Sequence, residues 1–297
     1  MPLTHTRVFR VRYYECDAYG HLNNANYLRF MQETAFDASA AAGYGIIRYE
    51  EMRRRWLIRG TEIEYLRPVR YGDTLEVKTW VAGYRRASSR RMYEFYLAGS
   101  GELVARAHTD WVFLDADSGQ TATIPEELKK AFFPEGLPQN APPRQAFPAA
   151  PPPPPGTFKI HRQVAWRDLD ALQHVNNAVY LEYIEECGLQ VIAAHEWPWT
   201  RMAAEGFAII LRKNQIQYLQ PARIDDELEI ATWASGIKRS TATRHYTIQR
   251  VSDQALLAQV HSLGVWIDLA SGRPIRIPSR FIADFASNIV LDEPLGV

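Results

Sequence analysis

This sequence predicts an α+β protein built from two tandem units of one design, and three observations carry that prediction. A motif occurs twice, "DAYGHLNNANYL" from Asp17 and "DALQHVNNAVYL" from Asp170. The self-match keeps one offset of 153 positions from residue 17 to residue 125, which marks a repeated structural unit. Each half also reads as a strand, a long helix and then a run of strands, so that one helix is available to cover an antiparallel sheet.

"TRVFRVRYYE", Thr6 to Glu15, alternates as a half-buried strand does. Asn23 or Asn24 then caps a long helix that runs to about Gly43, where glycine supplies a C-terminal stop. A short second helix comes next. "RGTEIEYLRP", "DTLEVKTWVAGY", "SRRMYEFYLAG" and "LVARAHTDWVFLD" are β-branched and aromatic runs separated by glycine or polar turns, and read as strands to the end. The second half repeats them as "KNQIQYLQP", "DELEIATWASGI", "TATRHYTIQRV" and "LLAQVHSLGVWID", with Tyr65 answered by Tyr218, Trp80 by Trp233 and His108 by His261.

Between the halves, residues 134–156 contain ten prolines in 23 positions. Proline donates no ladder hydrogen bond and favours the extended polyproline helix at about 3.1 Å per residue, so this segment reads as a stiff linker of roughly 70 Å. The expected division is 1–133, linker 134–156, and 157–297. At 297 residues the chain is about twice an ordinary domain, so each half can close its own core.

Composition narrows the function. With 34 basic and 34 acidic residues the chain has no net charge with which to wrap nucleic acid or hold an anionic membrane, so an anion site must be local. No stretch of about 18 apolar residues predicts a membrane span. Cys16 and Cys187 are too few for a disulfide framework, and no signal-peptide core opens the chain; a reducing, cytoplasmic setting is expected.

The duplicated motif carries the chemistry. Asp17 and Asp170 each precede a helix N-cap by six residues, near the unpaired amides and positive end of the helix dipole. A carboxylate there can act as base or nucleophile on a carbonyl that the amides polarise. An Asp that merely caps a turn fits the same spacing, but Asp, His and both Asn recur while their neighbours change, Gly20 to Gln173 and Tyr19 to Leu172. His21 and His174 have no companion ligand at a metal-like interval in both halves, so no metal is expected. The side chains of Asn23, Asn24, Asn176 and Asn177 suit N-caps; the backbone N–H of Asn24 and of Asn177 are the ones expected to face a substrate oxygen. Glu33 and Glu186 lie further along the helices and read as structural.

At these residues the sequence resembles the hotdog-fold thioesterases of the 4-hydroxybenzoyl-CoA thioesterase type. "DLDALQHVNNAVYLEYIEEC" is similar to bacterial long-chain acyl-CoA and plant acyl-carrier-protein thioesterases; "YYECDAYGHLNNANYLRFMQE" is similar to the aryl- and short-chain acyl-CoA branch. The resemblance implies two tandem hotdog domains, each a curved antiparallel sheet around one long helix, paired as an intramolecular pseudo-dimer that can assemble further. It implies hydrolysis of an acyl-CoA, or of an acyl group on a carrier protein, with CoA present only as part of the substrate.

By the same resemblance, Asp17 and Asp170 stand at the catalytic carboxylate, Asn24 and Asn177 at the carbonyl-polarising amide, and His21 and His174 beside them. Asn23, Asn176, Tyr27 and Tyr180 are expected at the substrate. "YRRASSRR" resembles a basic turn for CoA phosphates, which brings in Arg85 and Arg86, with Lys238 and Arg239 in the second copy; without the family these four read as a solvated turn. Leu172, Pro68 and Pro221 depart from the plant enzymes' water-activating set. Two rival activities remain. One is hydration or dehydration of 3-hydroxyacyl thioesters, whose "GDxNPxH" pattern does not occur. The other is a non-catalytic acyl-CoA binding module, which no DNA-binding motif accompanies.

Overall fold

A computed structural model describes residues 1–138 and 146–291. It divides into two compact units, Met1–Ala146 and Phe147–Val297.

The first unit contains strands β1 (Thr4–Arg10), β2 (Arg54–Tyr65), β3 (Thr74–Tyr84), β4 (Ser88–Leu97) and β5 (Leu103–Asp115), and helices α1 (Asn24–Ala41), α2 (Ile46–Glu51) and α3 (Glu126–Phe132). Its strands run antiparallel in the order β1-β3-β4-β5-β2. The second unit contains β6 (Phe158–Gln163), β7 (Phe207–Tyr218), β8 (Glu227–Ser235), β9 (Thr241–Arg250) and β10 (Leu256–Asp268), and helices α4 (Val179–Ala194), α5 (Trp199–Ala204) and α6 (Ser279–Asp284). Its order, β6-β8-β9-β10-β7, repeats the first position by position. Register repeats too: Trp80, Met92, His108 and Glu62 lie abreast across β3, β4, β5 and β2, as Trp233, His245, His261 and Gln215 do across β8, β9, β10 and β7.

Each sheet closes on its long helix because the helix buries one stripe. In α1, Ala25, Leu28, Met31, Ala35 and Ala38 recur at helical spacing and are buried, against β1 and β3. Register shifts at Ile58/Gly60 and Val81/Gly83, and at Leu263/Gly264 in the second unit, are the kind of irregularity that bends a strand around its helix. The helix stop is as expected: α1 ends at Ala41 and Gly43 turns left-handed at φ +81°. In the second unit Glu196 takes that conformation at φ +64°.

The expected linker falls partly at 139–145, outside the described residues. Its later part packs on the second unit. Phe147 lies against the ring of His261, centroids 4.6 Å apart, and the carbonyl of Pro151 accepts from Trp233 Nε1 at 3.1 Å. The sheet face beneath has exchanged charge for neutral groups: Lys78, Glu94, Arg106 and Glu64 of the first unit correspond to Ala231, Thr247, Gln259 and Gln217.

Among the described residues no helix is long and apolar enough to cross a membrane. Cys187 lies fully buried on α4, its thiol pushed up to about 12 by burial, whereas Cys16 is half-buried. Since the thiolate is the nucleophile, iodoacetamide at pH 7.5 should label Cys16 slowly and Cys187 only after unfolding. Peptide mass spectrometry checks this; native labelling of Cys187 contradicts the packing.

Candidate active site

In the first unit the chain leaves β1 through a single 3₁₀ turn, Tyr13–Glu15, and then makes a tight loop closed by a bridge between Cys16 and Leu22. Asp17 organises that loop. Its N–H donates to His21 O at 2.7 Å, its carbonyl accepts from Gly20 N at 2.9 Å, and its Oδ1 accepts from Tyr19 N at 2.9 Å and His21 N at 3.0 Å. Gly20 sits at φ +74°, a conformation that glycine adopts without cost. The loop is pinned to the sheet where Leu22 N donates to Val69 O at 2.7 Å, and to the 3₁₀ turn where Asn23 N donates to Glu15 O at 2.9 Å.

The second unit repeats the loop. Asp170 N donates to His174 O at 2.9 Å, Gln173 N to Asp170 O at 2.9 Å, and Leu172 N to Asp170 Oδ1 at 2.9 Å, inside a bridge between Leu169 and Val175. Here Gln173 holds the left-handed position, at φ +59°. Both acids therefore do cap a turn, with one oxygen. Oδ2 of each has no hydrogen-bond partner among the described residues, and both side chains are half-buried.

The helix starts complete the arrangement. Asn23 is the N-cap of α1, its Oδ1 accepting from Ala25 N at 2.9 Å, and Asn176 Oδ1 accepts from Ala178 N at 2.9 Å. Regular helix α4 begins two residues later than the repeat implies, at Val179, with Asn177 and Ala178 in the turn before it. The amides of Asn24 and Asn177 meet no acceptor among the described residues, as unpaired first-turn donors. Tyr218 donates its hydroxyl to Asn177 O at 2.9 Å, and the buried Asn177 Nδ2 has no partner among the described residues.

His21 is half-buried beside Tyr19, ring centroids 6.4 Å apart. Burial, together with Arg70, holds its pKa below the ordinary imidazole value against the opposing pull of Asp17. The ring is thus neutral near pH 7. His174, half-buried, takes the same place in the second loop.

The other expected residues fall elsewhere. Tyr27 and Tyr180 are core residues. Tyr27 packs edge-on against Tyr65 and Phe95, and Tyr180 against Tyr218 while its hydroxyl accepts from Ala222 N at 3.2 Å. Burial pushes the Tyr180 phenol up to about 12. Arg85, Arg86, Lys238 and Arg239 are exposed on the β3–β4 and β8–β9 turns. Within a unit these turns lie at the far end of the strand from the acidic loop: β3 starts beside that loop and runs eleven residues, roughly 35 Å, before the turn. Exposed Glu33 pairs with half-buried Arg7 at 3.2 Å, and Glu186 accepts from Gln190 Nε2 at 2.8 Å; both lie on the outer helix face.

Two acids outside the expected set, Glu15 and Asp168, stand two residues ahead of Asp17 and Asp170 and are buried to 7% and 3% exposure. The signal was present, since they too are 153 positions apart.

The family model of the thioesterase-like superfamily matches residues 11–132 and again 164–285. The chain is 29% identical over 187 residues to the chloroplastic acyl-[acyl-carrier-protein] hydrolase FATB2 of Cuphea viscosissima, a match covering 60% of this chain and 45% of that protein. It therefore spans about half the length of that plant relative. It is 29% identical over 130 residues to the acyl-CoA thioester hydrolase YbgC of Escherichia coli O157:H7, covering 43% of this chain and 95% of that one. Among solved structures it is similar to the 12:0-ACP thioesterase from Umbellularia californica, with TM-score 0.70 and 19% identity over 88% of this chain and 93% of that one. It is also similar to an acyl-ACP thioesterase from Bacteroides thetaiotaomicron, with TM-score 0.67 and 16% identity over 88% and 97%. At such identities the two structures speak for the tandem hotdog fold alone.

Proposed function

From the premise that this chain belongs to the thioesterase-like superfamily, matched in both of its halves, we propose that it hydrolyses an acyl thioester, an acyl-CoA, to the free acid and the thiol. The observation that carries the reading is the twice-built loop in which an Asp spends one oxygen on the turn and keeps the other free, next to an unpaired helix-start amide.

The steps follow from those groups. The thioester carbonyl oxygen accepts from the Asn24 or Asn177 N–H, and the free Oδ2 of Asp17 or Asp170 takes a proton from water as that water adds to the carbonyl carbon. The C–O bond forms, charge collects on the carbonyl oxygen, and collapse breaks the C–S bond; the thiolate leaves and is protonated from solvent or the Asp. An oxyanion donor of this kind is worth on the order of 10²- to 10³-fold in rate. Direct attack by Oδ2, through a mixed anhydride, uses the same atoms. Neutral His21 can donate a hydrogen bond toward the thioester without placing a cation beside the Asp17 carboxylate.

The test is product analysis on a panel of acyl-CoAs of graded length, aryl-CoAs and acyl-carrier-protein thioesters. Free thiol and free acid in equal amounts are expected, with turnover on CoA substrates. An enoyl absorbance without thiol would instead assign hydration chemistry. Saturable binding with no product would assign a binding module.

A further inference from the structure

Glu15 and Asp168 end the 3₁₀ turns that carry the chain from strand to loop, and both are tied into the loop's support. Each accepts a backbone N–H at the start of its own turn, Arg12 N on Glu15 Oε2 at 2.8 Å and Ala165 N on Asp168 Oδ2 at 2.9 Å. Each backbone carbonyl accepts an Asn N–H at the helix approach, Asn23 N on Glu15 O and Asn176 N on Asp168 O, at 2.9 Å in both units. These residues therefore hold the reactive loop to the helix start.

Beyond that shared frame the units differ. In the second unit Asp168 Oδ2 also accepts from Tyr183 Oη on α4 at 2.7 Å and lies 3.8 Å from Arg162 Nη2 on β6, whose guanidinium covers the Tyr183 ring at 4.4 Å. Strand, loop and helix thus meet on one buried carboxylate. In the first unit the two corresponding positions are Phe9 and Phe30, which stack at 4.3 Å. Among the described residues Glu15 there pairs only with its exposed near neighbour Arg12, at 3.7 Å, and Asn26 Nδ2 ties α1 to the Glu15 carbonyl at 2.9 Å. Val179 occupies the Asn26 position in the second unit.

The second loop also needs firmer support. It holds Gln173 left-handed where the first loop has Gly20, a conformation that side chains with a Cβ resist. A carboxylate that accepts a hydroxyl hydrogen bond beside a guanidinium charge is a stronger anchor than a neutral contact of the same size, and it fixes geometry rather than simply filling space.

We propose that Asp168, Tyr183 and Arg162 are positioning residues for the second site alone, holding Asp170 and the Asn177 amide in the reactive arrangement that Gln173 strains, so that the two sites are unequal. This rests on the thioester-hydrolase reading above, and the test separates the two. Tyr183→Phe keeps the ring under Arg162 and removes one hydrogen bond; Asp168→Asn keeps the shape and removes the charge.

In an Asp17→Asn chain, where turnover comes from the second site, each variant should lower kcat about tenfold with KM within twofold. Adding Gln173→Gly should restore part of the loss by relieving the left-handed position. In an Asp170→Asn chain the same variants should leave the remaining rate within twofold. Hydrogen exchange read by mass spectrometry should show faster exchange over residues 169–178 in Tyr183→Phe, with residues 16–25 unchanged, and it needs no substrate. If the parent releases no thiol, the activity reading fails, and the exchange result alone decides the positioning role. Unchanged exchange in the second loop, equal loss at both sites, or a second-site kcat within twofold of its parent overturns the proposal.

Discussion

Asp17→Asn combined with Asp170→Asn should lower kcat/KM for thiol release by about 10²- to 10⁴-fold, the range expected when a general base is lost. Asparagine is nearly isosteric and keeps an Oδ1 that accepts from Tyr19 N and His21 N in the first loop, and from Leu172 N in the second, so both turns should survive. What changes is the free oxygen, replaced by an NH₂ that donates and cannot take a proton from water. Equal melting temperatures for parent and double variant confirm that chemistry, not folding, was removed. The single variants divide the activity: with the second loop anchored through Asp168, Asp170→Asn should cost more than Asp17→Asn. Full activity in the double variant would end the carboxylate mechanism, and the helix amides would then have to act on a nucleophile from elsewhere.

The duplicated acid, both asparagines and the helix behind them were legible because each occupies a fixed place in a pattern that occurs twice. Less legible were features set by a single tertiary contact. "TRVFRVRYYE" keeps alternating to Glu15, yet β1 ends at Arg10, because Glu15 captures the Arg12 N–H and winds Tyr13–Glu15 into a 3₁₀ turn. β2 starts at Arg54 and β7 at Phe207, earlier than the expected runs, since stretches such as "FAII" pack on both faces and lose their alternation. The short helices α3 and α6 were not expected after the last strands; Pro125 and Pro278 at their N-caps were the available signal. Tyr27 and Tyr180 fell within the motif, but helix phase turns them into the core. Glu15 and Asp168 are acids of a type that is seldom buried, and nothing in the local pattern marks their depth. Only the hydrogen bonds and depth of the fold identify them as anchors.

Acidification should weaken the second unit well before carboxylate protonation becomes general. His245 and His261 are 4% and 7% exposed, their rings edge-on at 4.5 Å under Phe147, with His245 Nε2 and Ser235 Oγ 2.7 Å apart. Burial first, then His261 and Arg244, lower the His245 pKa to about 4, and burial also lowers His261. An unfolded imidazole titrates near 6.5, so between that value and about 4 the unfolded chain binds a proton that folded His245 refuses. Stability is therefore fully present above pH 6.5 and falls as pH drops toward 4, by on the order of 2 kcal/mol for this residue. For a unit of this size that is roughly a 4–8 °C fall in melting temperature. The first unit has Met92 at the corresponding position, so His245→Met supplies the control from within the chain. Melting followed by calorimetry from pH 7.5 to 4.5 should give a steep decline for the parent and a flatter one for His245→Met, whatever its absolute stability. Identical slopes would mean that the acid sensitivity arises elsewhere than in the buried pair beneath the proline-rich segment.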